Sequence, residues 1–236
     1  MKKLYLPQAI VSVLLLLLLA SRAEAQLQTK TITDDRVWFT FNAQGPLWAK
    51  SSKWRLTFES FVRSREGVDQ LDSAAVRPLL SYVLNKHSSV GGGLGFTPSF
   101  PVVGGQQMEY RWFEQYVFTG SAGGGTFSAR TRLEQRFIEK NDGVDHRLRE
   151  QVRYSRPITT GSKISWISYD ELFVHLNKTR KYPDNDVDQN RFFAGAGRSL
   201  NARVRIEMGY LNQFTPGYKQ PDKMNHILSG SLLISY

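Results

Sequence analysis

The chain contains no cysteine. That excludes a disulfide scaffold, a thiolate metal site and a cysteine nucleophile. It also excludes a lipidated N-terminal cysteine. Histidine is sparse, and His87, His146, His175 and His226 show no metal-ligand spacing, because no two lie two or four residues apart. Beyond residue 25 no apolar run approaches eighteen residues, so no transmembrane helix is expected there. Helical periodicity is scarce throughout, which argues against a helix bundle. Carboxylates are outnumbered, with 21 Asp and Glu against 31 Lys and Arg, for a formal charge of +10. A hydrophobic fraction of 41% is too high for a disordered basic chain.

The one long apolar run lies at the start. Lys2 and Lys3 precede Ile10 to Ala20, with six consecutive leucines at Leu14 to Leu19. Ala23-Glu24-Ala25 then supplies a small-x-small cleavage site before Gln26. This is the three-part pattern of a secretory signal peptide over residues 1–25. Cleavage there removes Lys2, Lys3, Arg22 and Glu24 and takes the formal charge from +10 to +8. The expected product is exported and has no helical anchor.

Period-two alternation dominates the rest. Trp54, Leu56, Phe58, Ser60 and Val62 oppose Lys53, Arg55, Thr57, Glu59, Phe61 and Arg63. Phe127, Ala129, Thr131, Leu133, Gln135 and Phe137 oppose Ser128, Arg130, Arg132, Glu134 and Arg136. Val204, Ile206, Met208 and Tyr210 oppose Arg203, Arg205, Glu207 and Gly209. Strands are expected near 34–44, 53–65, 73–86, 90–98, 108–119, 126–139, 145–157, 163–177, 188–198, 202–214 and 224–236. They are long for a soluble domain, whose strands average about five or six residues, and match the ~9–11 residues that cross a bilayer at a tilt.

The expected connections alternate in length. Short ones fall at Lys86–Ser89, Gly120–Gly125, Thr159–Ser162 and Arg198–Asn201, and longer polar ones at Ser64–Asp72, Ser99–Gln107, Lys140–Val144, Lys178–Val187 and Thr215–Lys223. Outer-membrane barrels have this rhythm of short periplasmic turns and long external loops. Pro78 falls inside an expected strand and predicts a bulge or a late strand start.

The expected fold is therefore an all-β, closed, antiparallel up-and-down transmembrane barrel filling residues 34–236. Bacterial single-chain barrels have an even strand number. Residues 26–33 are accordingly read as an N-terminal arm or a short first strand, giving twelve strands, with ten as the alternative. Rows of Arg on a lipid face would each cost about 2–4 kcal/mol at the bilayer midplane, so the polar faces are placed inside. Trp38, Trp54, Tyr82, Trp112, Phe137, Trp166 and Tyr210 are read as interfacial girdle residues. Tyr236 closes the last strand as a terminal aromatic, in the manner of an assembly signal for the barrel assembly machinery. The expected location is the bacterial outer membrane, in contact with lipid and lipopolysaccharide.

The order of elements also carries a likeness. Val37-Trp38-Phe39-Thr40 is followed by Trp54-Arg55-Leu56-Thr57-Phe58-Glu59 and then by Val76-Arg77-Pro78-Leu79-Leu80-Ser81-Tyr82-Val83-Leu84-Asn85. Next come Gly91-Gly92-Gly93-Leu94-Gly95-Phe96, Glu109-Tyr110-Arg111-Trp112 and Asp170-Glu171-Leu172-Phe173. Arg191-Phe192-Phe193-Ala194-Gly195-Ala196-Gly197 and Met208-Gly209-Tyr210 complete the set. The sequence resembles the family called domain of unknown function 2490 over nearly its whole expected mature length. The resemblance implies a bacterial outer-membrane barrel and carries over no catalytic residue.

The chemistry-bearing feature is the charged set on the polar faces. It comprises Arg55, Glu59, Arg63, Arg130, Arg132, Glu134, Arg136, Arg147, Arg149, Arg153, Glu171, Arg203, Arg205 and Glu207. Arginine forks onto carboxylates and phosphates, and rows of it in a pore favour anions such as acidic sugars or phosphates. A small passive pore with some anion preference is the leading expectation. The alternative is a closed structural or envelope-interaction barrel whose lumen is filled by Arg–Glu pairs. An outer-membrane hydrolase is third, because His146 and His175 have hydroxyls nearby (Ser155, Ser168, Tyr169) but no triad-like order. Asp184, Asp186 and Asp188 alternate in a loop without the Gly and distal Glu of a calcium loop, and are read as solvated. No cofactor and no metal is expected. Nucleic acid is not an expected partner, because the Arg residues are dispersed strand by strand in an exported chain.

Overall fold

The computed structural model describes residues 31–48, 53–179, 182, 187–217 and 220–236. The expected leader, residues 26–30, Asp184 and Asp186 lie outside them. The strands are β1 (Thr31–Pro46), β2 (Trp54–Arg65), β3 (Gln70–Val83), β4 (Ser88–Ser99), β5 (Gln107–Ala122) and β6 (Gly125–Ile138). They continue with β7 (Asp145–Pro157), β8 (Ile164–His175), β9 (Val187–Ser199), β10 (Val204–Thr215) and β11 (Asp222–Ser235). Each strand hydrogen-bonds to its sequence neighbour, and β1 meets β11 to close a barrel.

Closure differs from the expectation. Among the described residues there are eleven strands, not twelve, and β1 pairs with β11 in parallel from Thr31↔Asp222 to Gln44↔Ser235. Residues 31–33 extend β1 and form no strand of their own. An even number is needed only if every neighbour is antiparallel. A parallel seam satisfies edge N–H and C=O groups just as fully. Tyr236 fastens this seam: its amide donates to the Gln44 carbonyl at 3.1 Å and its hydroxyl to the Leu56 carbonyl at 3.4 Å.

The parallel seam also puts the start of β1 and the end of β11 at opposite ends of the barrel. The C-terminal end carries the connections from odd-numbered to even-numbered strands. The tightest is Gly123-Gly124 between β5 and β6, with φ of +54° and +76°. Those left-handed angles are what a two-residue hairpin turn requires, and glycine adopts them without strain. The opposite end carries the longest connection, 176–186. The β2–β3 link expected to be long is only 66–69, because β3 begins at Gln70, earlier than the alternation indicated.

Pro78 causes neither a bulge nor a late start. β3 begins at Gln70, and its ladder with β4 keeps one register past Pro78, although Arg77 and Pro78 find partners on β2 and not on β4. The register shifts lie elsewhere, at Arg63/Ser64 and Phe173/Val174.

Outward faces carry large apolar side chains, among them Phe39, Val62, Trp112, Trp166 and Met208, all at least half exposed. The face is not uniformly apolar. Gln135 donates to Glu114 at 3.1 Å, Thr131 to Glu150 at 2.9 Å and Asn190 to Asp170 at 2.9 Å, while Tyr210 Oη lies 2.6 Å from His226 Nδ1. Each of these outward polar groups is matched by a cross-strand neighbour, which lowers the cost of removing it from water. Trp38 is a correction to the expected girdle. It points inward at 6% exposure and packs in the lumen with Ile167, Phe193, Leu211 and Ile227.

Candidate functional site

Alternation sends the charged face of each strand inward. Eight strands leave a lumen that ordinary side chains just fill. Eleven leave a wider one, and here arginine, carboxylate and aromatic side chains occupy it in layers.

At mid-height Glu134 is 0% exposed and lies 2.6 Å from Arg147, 2.6 Å from Arg149 and 3.5 Å from Arg111. Arg149 also reaches Glu171 at 2.6 Å, and Arg130 meets the same carboxylate at 2.7 Å. One layer nearer the C-terminal end, Arg132 crosses from β6 to β2. It forks onto both oxygens of Glu59 at 2.8 and 3.1 Å and donates to Gln115 at 2.6 and 3.0 Å. A bidentate charged pair of this kind is directional and strong. One layer nearer the opposite end, Arg136 joins Glu109 at 2.8 Å to Asp145 at 2.7 Å, and Arg111 also pairs with Glu109. His175 Nδ1 lies 2.7 Å from Asp145 and its Nε2 3.3 Å from Asp188, which Arg147 also reaches at 2.6 Å. Asp188 is thus an inward-facing ion-pair member, not part of a solvated loop.

Aromatic rings complete the filling. Arg63 stacks on Trp38 and Phe61 at 4.1 and 3.8 Å, Arg77 on Phe61 at 4.8 Å, and Arg191 on Phe173 and Trp38 at 4.6 and 5.0 Å. None of these three has a carboxylate partner among the described residues, so ring faces hold much of their charge. Arg132 lies over Phe113 at 4.3 Å.

The C-terminal half of the lumen differs. Arg153 and Arg205 share Glu207 at 2.7 and 2.9 Å. Beside them lies a cavity of about 720 Å³, with Arg55, Arg203, Arg205 and Lys86 on its wall and Glu59 and Gln115 at its inner limit. Among the described residues, neither Arg55 nor Arg203 has a carboxylate partner.

The charged set read from the sequence therefore turns to the lumen, divided between the packed layers and the C-terminal half, with Arg55 and Arg203 exposed at the rim of the vestibule. The alternation reading missed Arg77, Glu109, Arg111 and Arg191, although each sits at an alternating position in a strand already recognised. Asp145, His175 and Asp188 sit at strand ends, where alternation gives little signal. No group of three or more His, Cys, Asp or Glu side chains is arranged to hold a metal among the described residues. His175 is flanked by Asp145 and Asp188 and by the Tyr182 ring at 4.2 Å, not by a serine.

The sequence profile of a family described as "Protein of unknown function (DUF2490)" matches residues 35–225. The chain belongs to this family. An uncharacterized protein of Methylorubrum extorquens is 30% identical to this DUF2490 chain over 176 residues, which is 74% of this chain and 77% of the relative. Among solved structures, LpxR from Salmonella typhimurium has a similar outline, with a TM-score of 0.48 and 10% identity, over 80% of this chain and 86% of that one. A likeness that distant does not inform the chemistry of the DUF2490 lumen, which rests on the residues above.

Proposed function

We propose that this protein is a closed outer-membrane barrel, sealed at mid-height by its own side chains, and not a passive pore. The observation that carries this reading is the dryness of the middle layers. Arg132 and Phe113 are 1% exposed, Phe173 is 1% exposed and Glu134 is 0% exposed. Residues lining a conducting channel are wetted by it. The charged rows are then a structural lattice, and anion passage is the reading they displace.

Placement in the outer membrane is supported by strands of 12–16 residues and by outward aromatics such as Trp112 and Trp166 at 60% and 66% exposure. In the orientation common to such barrels, the C-terminal end with its tight turns faces the periplasm. The vestibule then opens inward, and Tyr236 stands where assembly machinery meets the last strand. Lipid and lipopolysaccharide surround the wall.

The test is solute flux. Mature protein is refolded into liposomes, its folding checked by heat-shifted gel mobility, and the liposomes are diluted into isosmotic arabinose. Swelling at the protein-free rate is expected. Swelling that rises in proportion to folded protein would return the protein to the pore class.

A further inference from the structure

The vestibule has features that a packed lattice does not need. Arg205 donates through Nε to Glu207 at 2.9 Å, while its Nη2 is buried without a hydrogen-bond partner. Asn42 Oδ1, on the same cavity wall, is also buried without one. The first is an unused donor and the second an unused acceptor, and each such group carries a desolvation cost until something pairs with it. Gly197 makes room for the guanidinium, because a Cβ there would lie 2.5 Å from Arg205 Nη2. Glycine thus lets the guanidinium of a cavity-lining arginine lie flat against the lumen wall.

Charge points the same way. Arg153 and Arg205 share the single carboxylate of Glu207, and Arg132 engages Glu59. Arg55, Arg203 and Lys86 add positive charge to the same cavity. Arg55 on β2 and Arg205 on β10 are separated by β1 and β11. Three strand spacings put their backbones roughly 14 Å apart around the wall. Asn42 and Gln44 lie on β1 between them. A volume of about 720 Å³ is in the range of small-molecule sites.

We propose that this vestibule is a binding site for a small hydroxylated anion of the sugar-phosphate class, entering from the C-terminal end. The oxyanion is held by Arg205 with Arg203 or Arg55, and hydroxyl donors satisfy Asn42. The site rests on the closed-barrel reading only for its floor. Binding is measured separately from flux, so failure of one is distinguishable from failure of the other.

The same chemistry reaches the site from two sources, a free solute or a phospholipid headgroup. Mature protein in an uncharged detergent is titrated by calorimetry with glucose 6-phosphate, with dihexanoylphosphatidylglycerol and with glucose. Saturable binding of one ligand per chain is expected for glucose 6-phosphate and none for glucose. Saturation by the phosphatidylglycerol alone would keep the site and assign it to a headgroup. Arg55→Ala and Arg203→Ala remove side chains that hold no carboxylate partner, so they are expected to fold. At least one of the two should weaken binding about tenfold, the worth of one charge-assisted hydrogen bond. Gly197→Ala keeps every charge and displaces the Arg205 guanidinium together with the end of the Ile167 side chain, and should weaken binding similarly in protein that retains its heat-shifted mobility. No saturable binding of either anion, or binding that all three substitutions leave unchanged, overturns the proposal.

Discussion

Glu134→Ala is expected to destabilise the barrel by about 3 kcal/mol, the lower part of the range for breaking a buried ionic group. Glu134 is wholly buried and serves Arg147, Arg149 and Arg111 together. Removing it leaves three cations close to one another in a space water does not reach. The cost stays near the lower bound because each arginine keeps a second carboxylate: Asp188 for Arg147, Glu171 for Arg149 and Glu109 for Arg111. The urea midpoint for loss of heat-shifted gel mobility should fall accordingly. An unchanged midpoint would mean that the layer is wet and the charges solvated. Replacing Glu134, Arg147 and Arg149 together by leucine or methionine should cost less than their separate losses combined, since Glu171 keeps Arg130, Asp188 keeps His175 and Arg111 keeps Glu109.

The second large effect concerns the link across the lumen. Arg132→Met and Glu59→Gln should each destabilise the barrel, and the double variant should be better than the sum of the two by about 1–3 kcal/mol. The fork of two short hydrogen bonds between them is the physical reason. Arg132 sits 1% exposed over the Phe113 ring, so its partner is seen through little water and is weakly screened. Additive single effects would show that the contact holds nothing together. The same urea midpoints measure it.

Much of this was legible in the residues. The alternation from Lys53 to Arg63 assigned Glu59 and Arg63 to one face, and both are inside. The run Ser128 to Arg136 likewise placed Arg130, Arg132, Glu134 and Arg136 on the lumen face. Strand boundaries also lay close, because turns such as Gly123-Gly124 mark themselves chemically. What alternation does not carry is partnership across the lumen. Period two says that Arg132 faces inward, but not that it reaches Glu59, whose neighbours in the ladder are Asn42 and Arg77. Nor does it say that Trp38 is a seat for Arg63 and not an interfacial anchor, since an aromatic side chain in a strand can serve as either. The strand number failed for a topological reason. The even count follows the rule for bacterial single-chain barrels, whose neighbours are all antiparallel, and the parallel β1–β11 seam takes this chain outside that rule.

The most direct measurement is current across a planar bilayer holding the refolded mature protein under a salt gradient. The closed barrel predicts a flat trace from protein whose folding is confirmed by heat-shifted mobility. Stepwise conductance with an anion-selective reversal potential would contradict it and would make the arginine rows a path instead of a seal.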